Sequence, residues 1–500
     1  MRLRGRKAEV ELVELGSGAG HASAAVEEPA LLDDELADDG ESSDPERGAD
    51  RPRGWRRVRR AWPVALLAVV VGGAYLVKAA REQAALAATH ELLAGQEAFV
   101  ADLGRVPGFL WRVDAPEYWA SPSSAGDVVL LQRAKESGES VSVALDRETG
   151  AELWRAEPQD DALSVYCGLP SETFAAPAGM VACVEQRRTS GDEVESIVLQ
   201  QRDARTGEVR SSRDVPTVGF GVAPWRSDLL QVEMADSETS LRLVDAEGAT
   251  VWTLPLLDRA LGSDSWVNLQ VWEDRAVVSA SDRALVIEHD GQIVVEVTPA
   301  AWGAAAARAR PEGGQPEVFV TPLLGGGYVF SYWASSHPEK LVFDEGGDAV
   351  YEIEGDPQVI GLDDGSAGRL DAWNAAGGGL DLVDSTTGEL AQHLGRWQYG
   401  SVYLLDGKAV LGGGGRLRAV DLTTGEDVWA EISGGDLVAS DGAVVVVHER
   451  NVELSWLRAL DLESGREVWR LDLVSPEAVA FAIDGALYVH DDGTFARLGR

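Results

Sequence analysis

From about residue 106 to residue 500, short apolar runs alternate with segments rich in Gly and Asp. Some runs alternate apolar and polar residues, as in Leu417 to Val420, which is the two-residue period of a strand with one buried face. Other runs are continuously apolar, such as Ala443 to Val447, which fits a strand buried on both faces. Gly and Asp between the runs favour tight turns. The pattern predicts an all-β domain over residues 106–500.

One phrase recurs through this domain: an apolar residue, an Asp, two or three polar residues and a Gly, followed by a strand that often carries Trp. The spacing between copies is mostly about 40 residues, a period at which repeat architectures occur. Asp can hydrogen-bond to the backbone two residues on, and Gly supplies the positive φ that closes the turn. The glycines of the copies are Gly150, Gly207, Gly248, Gly291, Gly346, Gly388, Gly425 and Gly465.

Each repeat therefore predicts a small four-stranded antiparallel sheet. Such a sheet cannot bury both faces alone, so the sheets must stack around an axis. A large side chain after the turn would wedge each sheet against its neighbour. The predicted docking residues are Trp111, Trp154, Trp252, Tyr351, Trp429 and Trp469.

The phrase resembles the tryptophan-docking motif of the PQQ-like (quinoprotein-type) β-propeller repeat family. The resemblance covers the whole of residues 106–500 and implies a β-propeller of four-stranded antiparallel blades. Eight blades are favoured, with seven and nine left open, because propellers typically have four to eight. WD-repeat propellers have a similar period, but no Trp-Asp pair occurs in this chain.

The two ends of the predicted domain complement each other. The last repeat stops after the strand Thr494 to Leu498, before any Trp-bearing outer strand, whereas Leu110 to Val113 has the pattern of an outer strand without its preceding partners. Pairing the two fragments would complete one blade and remove two exposed strand edges. We therefore predict that they pair and close the ring.

Four regions precede the domain. Residues 1–50 are acidic and poor in aromatic residues, which predicts a disordered cytoplasmic tail. Residues 51–60 contain six arginines, and the uncharged run that follows predicts a transmembrane helix over 61–80. Arginine on the N-terminal side places the N-terminus in the cytoplasm and the propeller outside a plasma membrane. Residues 81–105 are rich in Ala, Leu, Glu and Gln, which predicts a helical stalk.

The chain has two cysteines, Cys167 and Cys183, which fall in consecutive predicted strands. Antiparallel neighbours can bring their Cβ atoms to disulfide distance, and an extracytoplasmic compartment is oxidising. A structural disulfide is favoured over two separate buried thiols.

The net charge of −39 excludes a nucleic-acid partner, which would require a basic surface. The family that the repeat resembles includes the quinoprotein dehydrogenases. The resemblance therefore implies a site with bound PQQ and calcium beside a catalytic Asp, often under a disulfide between adjacent cysteines. The two cysteines here are not adjacent, and we assign no catalytic, cofactor-binding or metal residue and no cofactor. Asp363-Asp364-Gly365 and Asp491-Asp492-Gly493 are interpreted as turns rather than calcium ligands.

Two functions remain. The first is a membrane-tethered scaffold that binds an unknown protein or cell-envelope ligand, supported by the predicted anchor and by a predicted insertion within residues 296–317. The alternative is a divergent PQQ-dependent dehydrogenase, which rests on the fold resemblance alone.

Overall fold

The computed structural model describes residues 83–500 with internal gaps. The gaps are residues 116–121, 135–139, 159–161, 169–178, 189–193, 217–221, 226–227, 235–237, 246–247, 258–266, 273–274, 281–282, 299–316, 324–325, 334–338, 376–377, 396–399 and 414. The predicted tail (1–50), basic segment (51–60) and transmembrane helix (61–80) lie outside the described residues, as does most of the predicted insertion. Within the described part of the chain, no helix is both long enough and apolar enough to cross a bilayer.

The described residues begin with a helix over residues 83–93, and the remaining regular structure is β. Strand β1 (Gly108–Asp114) comes first, and the strands after it form blades of four in chain order. Blades 1 to 3 contain β2 (Ser123–Ala125), β3 (Val128–Ala134), β4 (Ser140–Asp146), β5 (Glu152–Ala156); β6 (Ala162–Cys167), β7 (Met180–Arg188), β8 (Val194–Asp203), β9 (Val209–Pro216); and β10 (Val222–Trp225), β11 (Asp228–Met234), β12 (Thr239–Val244), β13 (Thr250–Leu257).

Blades 4 to 6 follow the same plan, except that the inner position of blade 6 is divided between two short strands. They contain β14 (Val267–Trp272), β15 (Arg275–Ala280), β16 (Arg283–Glu288), β17 (Ile293–Val297); β18 (Glu317–Pro322), β19 (Tyr328–Trp333), β20 (Glu339–Phe343), β21 (Ala349–Ile353); and β22 (Asp356–Gln358), β23 (Ile360–Asp363), β24 (Leu370–Asn374), β25 (Leu380–Asp384), β26 (Leu390–His393). Strand β22 pairs with β24 of its own blade. Strand β23 instead pairs in parallel with the first strand of blade 7.

Blades 7 and 8 are followed by three strands that reach the C-terminus. They are β27 (Gly400–Leu405), β28 (Lys408–Gly413), β29 (Arg416–Asp421), β30 (Asp427–Glu431); β31 (Asp436–Ser440), β32 (Val444–Arg450), β33 (Ser455–Asp461), β34 (Glu467–Leu473); and β35 (Val479–Ile483), β36 (Ala486–Asp491), β37 (Thr494–Gly499).

Strand β1 adds to β37 and completes a further sheet in the order β1-β37-β36-β35, which we call the closing blade. The two strands are antiparallel, with Trp111 opposite Arg497 and Val113 opposite Phe495. The predicted pairing of the two ends of the domain is confirmed.

The described strands thus form nine four-stranded blades, so the favoured count of eight is wrong and the count of nine, left open by the sequence, applies. The shortened turn at His289 to Gly291 belongs to a complete blade, β14 to β17, with its own antiparallel pairings. The ninth blade arises because the fragments at the two ends of the domain make one sheet.

The apolar core is divided among the interfaces between successive blades. One buried cluster joins blade 8 to the closing blade through residues such as Leu457 and Val489. Another joins the closing blade to blade 1 through residues such as Phe495 and Val129. Because these two interfaces link the chain ends, the blades form a closed ring and each sheet buries both faces.

The antiparallel order places the connections of every blade on two opposite faces of the ring. The turn face carries the turns between first and second strands, such as Asp406-Gly407, and the repeated Asp–Gly turns between third and fourth strands. The loop face carries the connections between second and third strands, and the links from one blade to the next.

The predicted helical stalk over 81–105 is helical only over residues 83–93, and its remainder requires correction. The helix ends at residue 93, and no further helix occurs before β1. Leu93 is fully buried in the cluster between blades 7 and 8, and Val100 and Leu103 are buried between blade 8 and the closing blade. Burial of these side chains on the ring stabilises an irregular path that helix propensity does not predict.

Candidate functional site

The repeated turn and the docking residue of the preceding blade form one structural unit. The indole N–H of Trp429 donates to the Leu462 carbonyl at 2.9 Å, and its ring lies against Gly465, where a Cβ would come within 2.6 Å. The same donor–carbonyl pairing occurs four more times, from Trp111 to Arg147, Trp154 to Ala204, Trp252 to His289 and Trp469 to Leu103. These contacts tie the outer strand of one blade to the segment that follows it around the ring. Each consists of an indole N–H and a backbone carbonyl, which is a structural pairing.

Tyr351 occupies the docking position of blade 5 with different chemistry. Its ring lies against Gly388, and its hydroxyl donates to the Asp371 carboxylate at 3.0 Å. Burial, followed by the charge of Asp371, raises the pKa of Tyr351. Burial also raises the pKa of Asp371. The hydrogen bond between the two side chains links blade 5 to blade 6.

Some docking contacts were not predicted from the sequence. In blade 2 the guanidinium of Arg213 donates to the Asp245 carbonyl, where other blades use a Trp. In the closing blade the acceptor for Trp469 is Leu103, which follows Asp102, a residue with φ of 61°. The Asp-Leu-Gly sequence at residues 102–104 is a short form of the repeated turn. It is the feature of the sequence from which Leu103 could have been predicted as the acceptor.

Cys167 and Cys183 are directly opposite each other on β6 and β7 and are joined by a disulfide, with their Cα atoms 4.0 Å apart. Both are buried between blades 1 and 2. The Cys167 N–H donates to Ser142 Oγ at 2.8 Å, and its carbonyl accepts from Gln132. The bond therefore lies inside a packed interface of the ring.

The inner strands of blades 6, 7, 8 and the closing blade line a cavity of about 350 Å³. The wall is formed mainly by small and apolar residues, with Tyr403 and Phe481 as its aromatic members. Glu97 and Ala98, from the segment before β1, and Pro122, which precedes β2, also line it. Burial, followed by the charge of Glu97, raises the pKa of Tyr403.

The lining of this cavity does not fit the calcium and quinone of a quinoprotein dehydrogenase. Calcium takes six to eight oxygen ligands, usually several carboxylates. The lining offers one carboxylate, Glu97, and one side-chain amide, Gln358, which already bonds to the Gly400 carbonyl at 2.8 Å. Among the described residues, no group of three or more His, Cys, Asp and Glu side chains is placed to hold a metal ion.

The two Asp-Asp-Gly sequences are turns in the structure. Asp363 accepts from the Gly365 N–H and Asp364 from the Ser366 N–H, as expected of Asp in turns. Asp492 and Gly493 both have positive φ and form the two-residue hairpin between β36 and β37.

The segment over residues 94–105 is bonded to the turn face of the ring. Gln96 exchanges two hydrogen bonds with the backbone of Asp363 in blade 6, at 2.7 and 2.8 Å. The Val100 N–H donates to the Ser440 carbonyl, and the Leu103 N–H donates to the Asp441 carboxylate of blade 8. This segment is therefore part of the propeller surface, and it covers the turn face beside the cavity.

The closed ring of four-stranded blades, with an indole docked on the turn of the next blade, defines the chain as a β-propeller. A family description, "Outer membrane protein assembly factor BamB", matches residues 413–499, which span parts of blade 7, blade 8 and the closing strands. No curated protein matches the chain.

Several solved structures are similar to this chain in fold. BamB from Moraxella catarrhalis is 14% identical, with 79% of this chain and 100% of that chain covered and a TM-score of 0.41. Quinohemoprotein alcohol dehydrogenase from Comamonas testosteroni is 12% identical, with coverage of 79% and 76% and a TM-score of 0.38. A eukaryotic initiation factor is 9% identical, with coverage of 81% and 93% and a TM-score of 0.46. Similarity at this level leaves function to be argued from this chain's own residues.

Proposed function

We propose that this chain is a single-pass membrane protein whose propeller, outside the cytoplasm, acts as a binding scaffold for a protein or cell-envelope ligand. The supporting observation is the attachment of residues 94–105 to the turn face. This segment follows closely on the predicted membrane helix over 61–80, so a tether would hold the ring by its turn face. The loop face would then be free to receive a partner.

The matched family description points the same way. It names an assembly factor for outer membrane proteins, which is a role in protein handling, and it matches the last blades of this ring. A scaffold also needs no catalytic constellation, and the cavity lining does not offer the ligands of a calcium–quinone site.

Membrane topology provides the first test. Protease added to intact spheroplasts should digest the propeller and leave a fragment that contains the first 60 residues and the predicted membrane helix over 61–80, detected with an N-terminal epitope tag. Arginine before the helix favours this orientation. Permeabilised spheroplasts are the control, in which the tag should also be lost. A propeller that resists protease until permeabilisation would contradict the proposed location.

Binding provides the second test. PQQ and calcium added to the purified full chain should give neither a bound-quinone spectrum nor a change in Tm. Crosslinking in intact membranes should join the propeller to a partner at defined surface positions. Dye-linked oxidation of an alcohol or sugar by the PQQ-loaded chain would favour the dehydrogenase instead.

A further inference from the structure

The loop face of blade 8 exposes a group of aliphatic side chains at positions where polar turn residues are usual. Among the described residues, the three most exposed large aliphatic side chains are Ile432 at 95%, Val452 at 93% and Val474 at 74%. Leu454 is 49% exposed beside them. Exposed apolar residues that cluster, rather than occur singly, mark interaction sites.

Strand pairing brings these residues together. Arg450 pairs with Ser455, so Val452 lies at the tip of the turn between β32 and β33. Ser455 pairs in turn with Leu473. Leu454 directly precedes Ser455 and Val474 directly follows Leu473, so the two are neighbours at the same end of blade 8.

Ile432 is held beside the same end by a buried polar network around Glu449. The Arg458 guanidinium donates to both Glu431 and Glu449, at 2.6 and 2.7 Å, and Trp456 Nε1–H donates to Glu449 at 2.6 Å. Ser433 Oγ, next to Ile432, also bonds to Glu449. The link from blade 7 is thereby fixed against blade 8, and Ile432 points to solvent.

The other two loops are fixed as well. The Asn451 side chain accepts from the Glu453 and Leu454 N–H groups, both at 2.8 Å. The Asp491 carboxylate of the closing blade accepts from the Val474 N–H at 2.7 Å. Apolar side chains on backbone that is already ordered lose little further entropy when a partner covers them.

The charge around this apolar group is mainly negative. Asp436, Glu453 and Glu477 are exposed in the same strand ends and loops, and Asp472 is exposed but bonds to Arg470. Arg450 is the exposed base within these loops. The chain as a whole carries a net charge of −39. An acidic rim around an apolar centre complements a partner with aliphatic residues flanked by bases.

We infer that the loop face of blade 8, centred on Ile432, Val452 and Val474, docks a protein segment whose aliphatic side chains are flanked by Lys and Arg. This inference rests on the proposed scaffold function and assigns it a surface and a partner chemistry. The apolar centre contributes affinity because its surface is buried on binding, and the acidic rim disfavours the binding of acidic segments.

The test uses the full chain in phosphatidylcholine nanodiscs and an 18-residue amphipathic helical peptide of Leu and Lys as the probe. The triple variant Ile432→Ser, Val452→Ser, Val474→Ser should weaken peptide binding at least tenfold. A matched control, Val209→Ser, Val251→Ser, Leu390→Ser, changes exposed aliphatic residues on the outer strands of other blades and should alter the Kd less than twofold. Charge reversal by Glu453→Lys and Glu477→Lys should weaken binding at least threefold.

Equal weakening by the two triple variants, or equal binding of a peptide with Glu in place of Lys, would overturn the inference. A dimer of the wild-type chain that is lost only in the Ile432, Val452 and Val474 variant would also overturn it, in favour of a second copy as occupant.

A photo-crosslinking amino acid in intact membranes separates this inference from the scaffold function. A specific product from position 452, and none from the control position 251, supports the surface. Products from other loop-face positions but not from position 452 would leave the scaffold standing and reject this surface. If no position on the ring gives a product, both proposals fail.

Discussion

At Gly465 two separate physical requirements meet at one residue. Its φ is 67°, in the left-handed region that favours glycine, and a Cβ there would come within 2.6 Å of the Trp429 ring. Gly150 and Gly207 show the same combination with Trp111 and Trp154. The repeated glycine thus closes the turn of its own blade and also leaves room for the Trp ring of the preceding blade to pack against it.

Substitution can separate these two roles. Gly407 has φ of 68° but open space where a Cβ would lie, so Gly407→Ala should cost about 1 kcal/mol of unfolding free energy. Gly465→Ala should cost about 1–3 kcal/mol more, because the new methyl group displaces the indole. Equilibrium denaturation of the two variants measures the difference. Equal losses would show that the docking contact adds nothing.

The turn aspartates give the fold an acid-sensitive element. Asp421 accepts from the backbone N–H groups of Thr423 and Thr424 at 2.9 and 2.8 Å, and also from the Thr424 hydroxyl. The hydrogen bond from the Thr424 backbone is the main cause that lowers the pKa of Asp421 below 3.8. Hydrogen bonds from the threonine hydroxyls, and then from backbone N–H groups, lower the pKa of Asp146 and Asp384. For Asp203 the backbone N–H of Thr206 is the main cause.

A group with a depressed folded-state pKa stabilises the fold above its unfolded pKa and loses that contribution as pH falls through the folded value. Asp421→Ala should therefore lower the Tm at pH 7, and its deficit relative to wild type should shrink as pH falls below 3.8. Thermal melts from pH 7 to about pH 2.5 provide the measurement. A deficit that stays constant with pH would show that the carboxylate charge plays no part.

At the scale of the elements, the hairpin of β6 and β7 carries the chain's covalent crosslink. The cysteines are 16 residues apart, and closing a loop of this size stabilises a fold by about 3 kcal/mol in the chain-entropy description. Cys167→Ala with Cys183→Ala should lower the unfolding free energy by about that amount. Wild type unfolded in the presence of reductant should approach the variant. Alkylation of both thiols in denatured, non-reduced protein would contradict the bond.

The local sequence pattern correctly predicted strand β1 but not the path of the segment before it. The arrangement of Trp111 and its neighbours matched the outer strands of the later repeats and predicted the correct partner strand. A helical stalk was predicted over 81–105 because its composition favours helix; residues 83–93 are helical, but residues 94–107 are irregular. Burial of Val100 and Leu103 and the bond from Leu103 to Trp469 decide its path, and these contacts are distant in sequence.

At the scale of the whole molecule, the closing blade joins the two ends of the ring. Trp111 is 8% exposed in the cluster between the closing blade and blade 1, whereas Phe109 on the same strand is 38% exposed. Trp111→Ala should cost about 3–5 kcal/mol of unfolding free energy, as expected for a buried Trp in a packed interface. Phe109→Ala is the matched control and should cost much less.

Chemical denaturation of the full chain, followed by the intrinsic fluorescence of the propeller, compares the two variants. If Trp111→Ala is no more damaging than Phe109→Ala, the closure between β1 and β37 does not support the ring. A loss confined to Trp111→Ala would show that the stability of the ring depends on contacts between its two chain ends.

The sequence by itself determined the repeat, the turn chemistry and the aromatic docking residues, because each depends on a few neighbouring residues and on the two-residue period of a strand. Only the tertiary structure decided the number of blades, the acceptor for Trp469 and the position of Ile432, Val452 and Val474 on one face of the ring. These features depend on which distant segments become neighbours when the ring closes. That choice is made by packing over the whole domain, which local pattern does not encode.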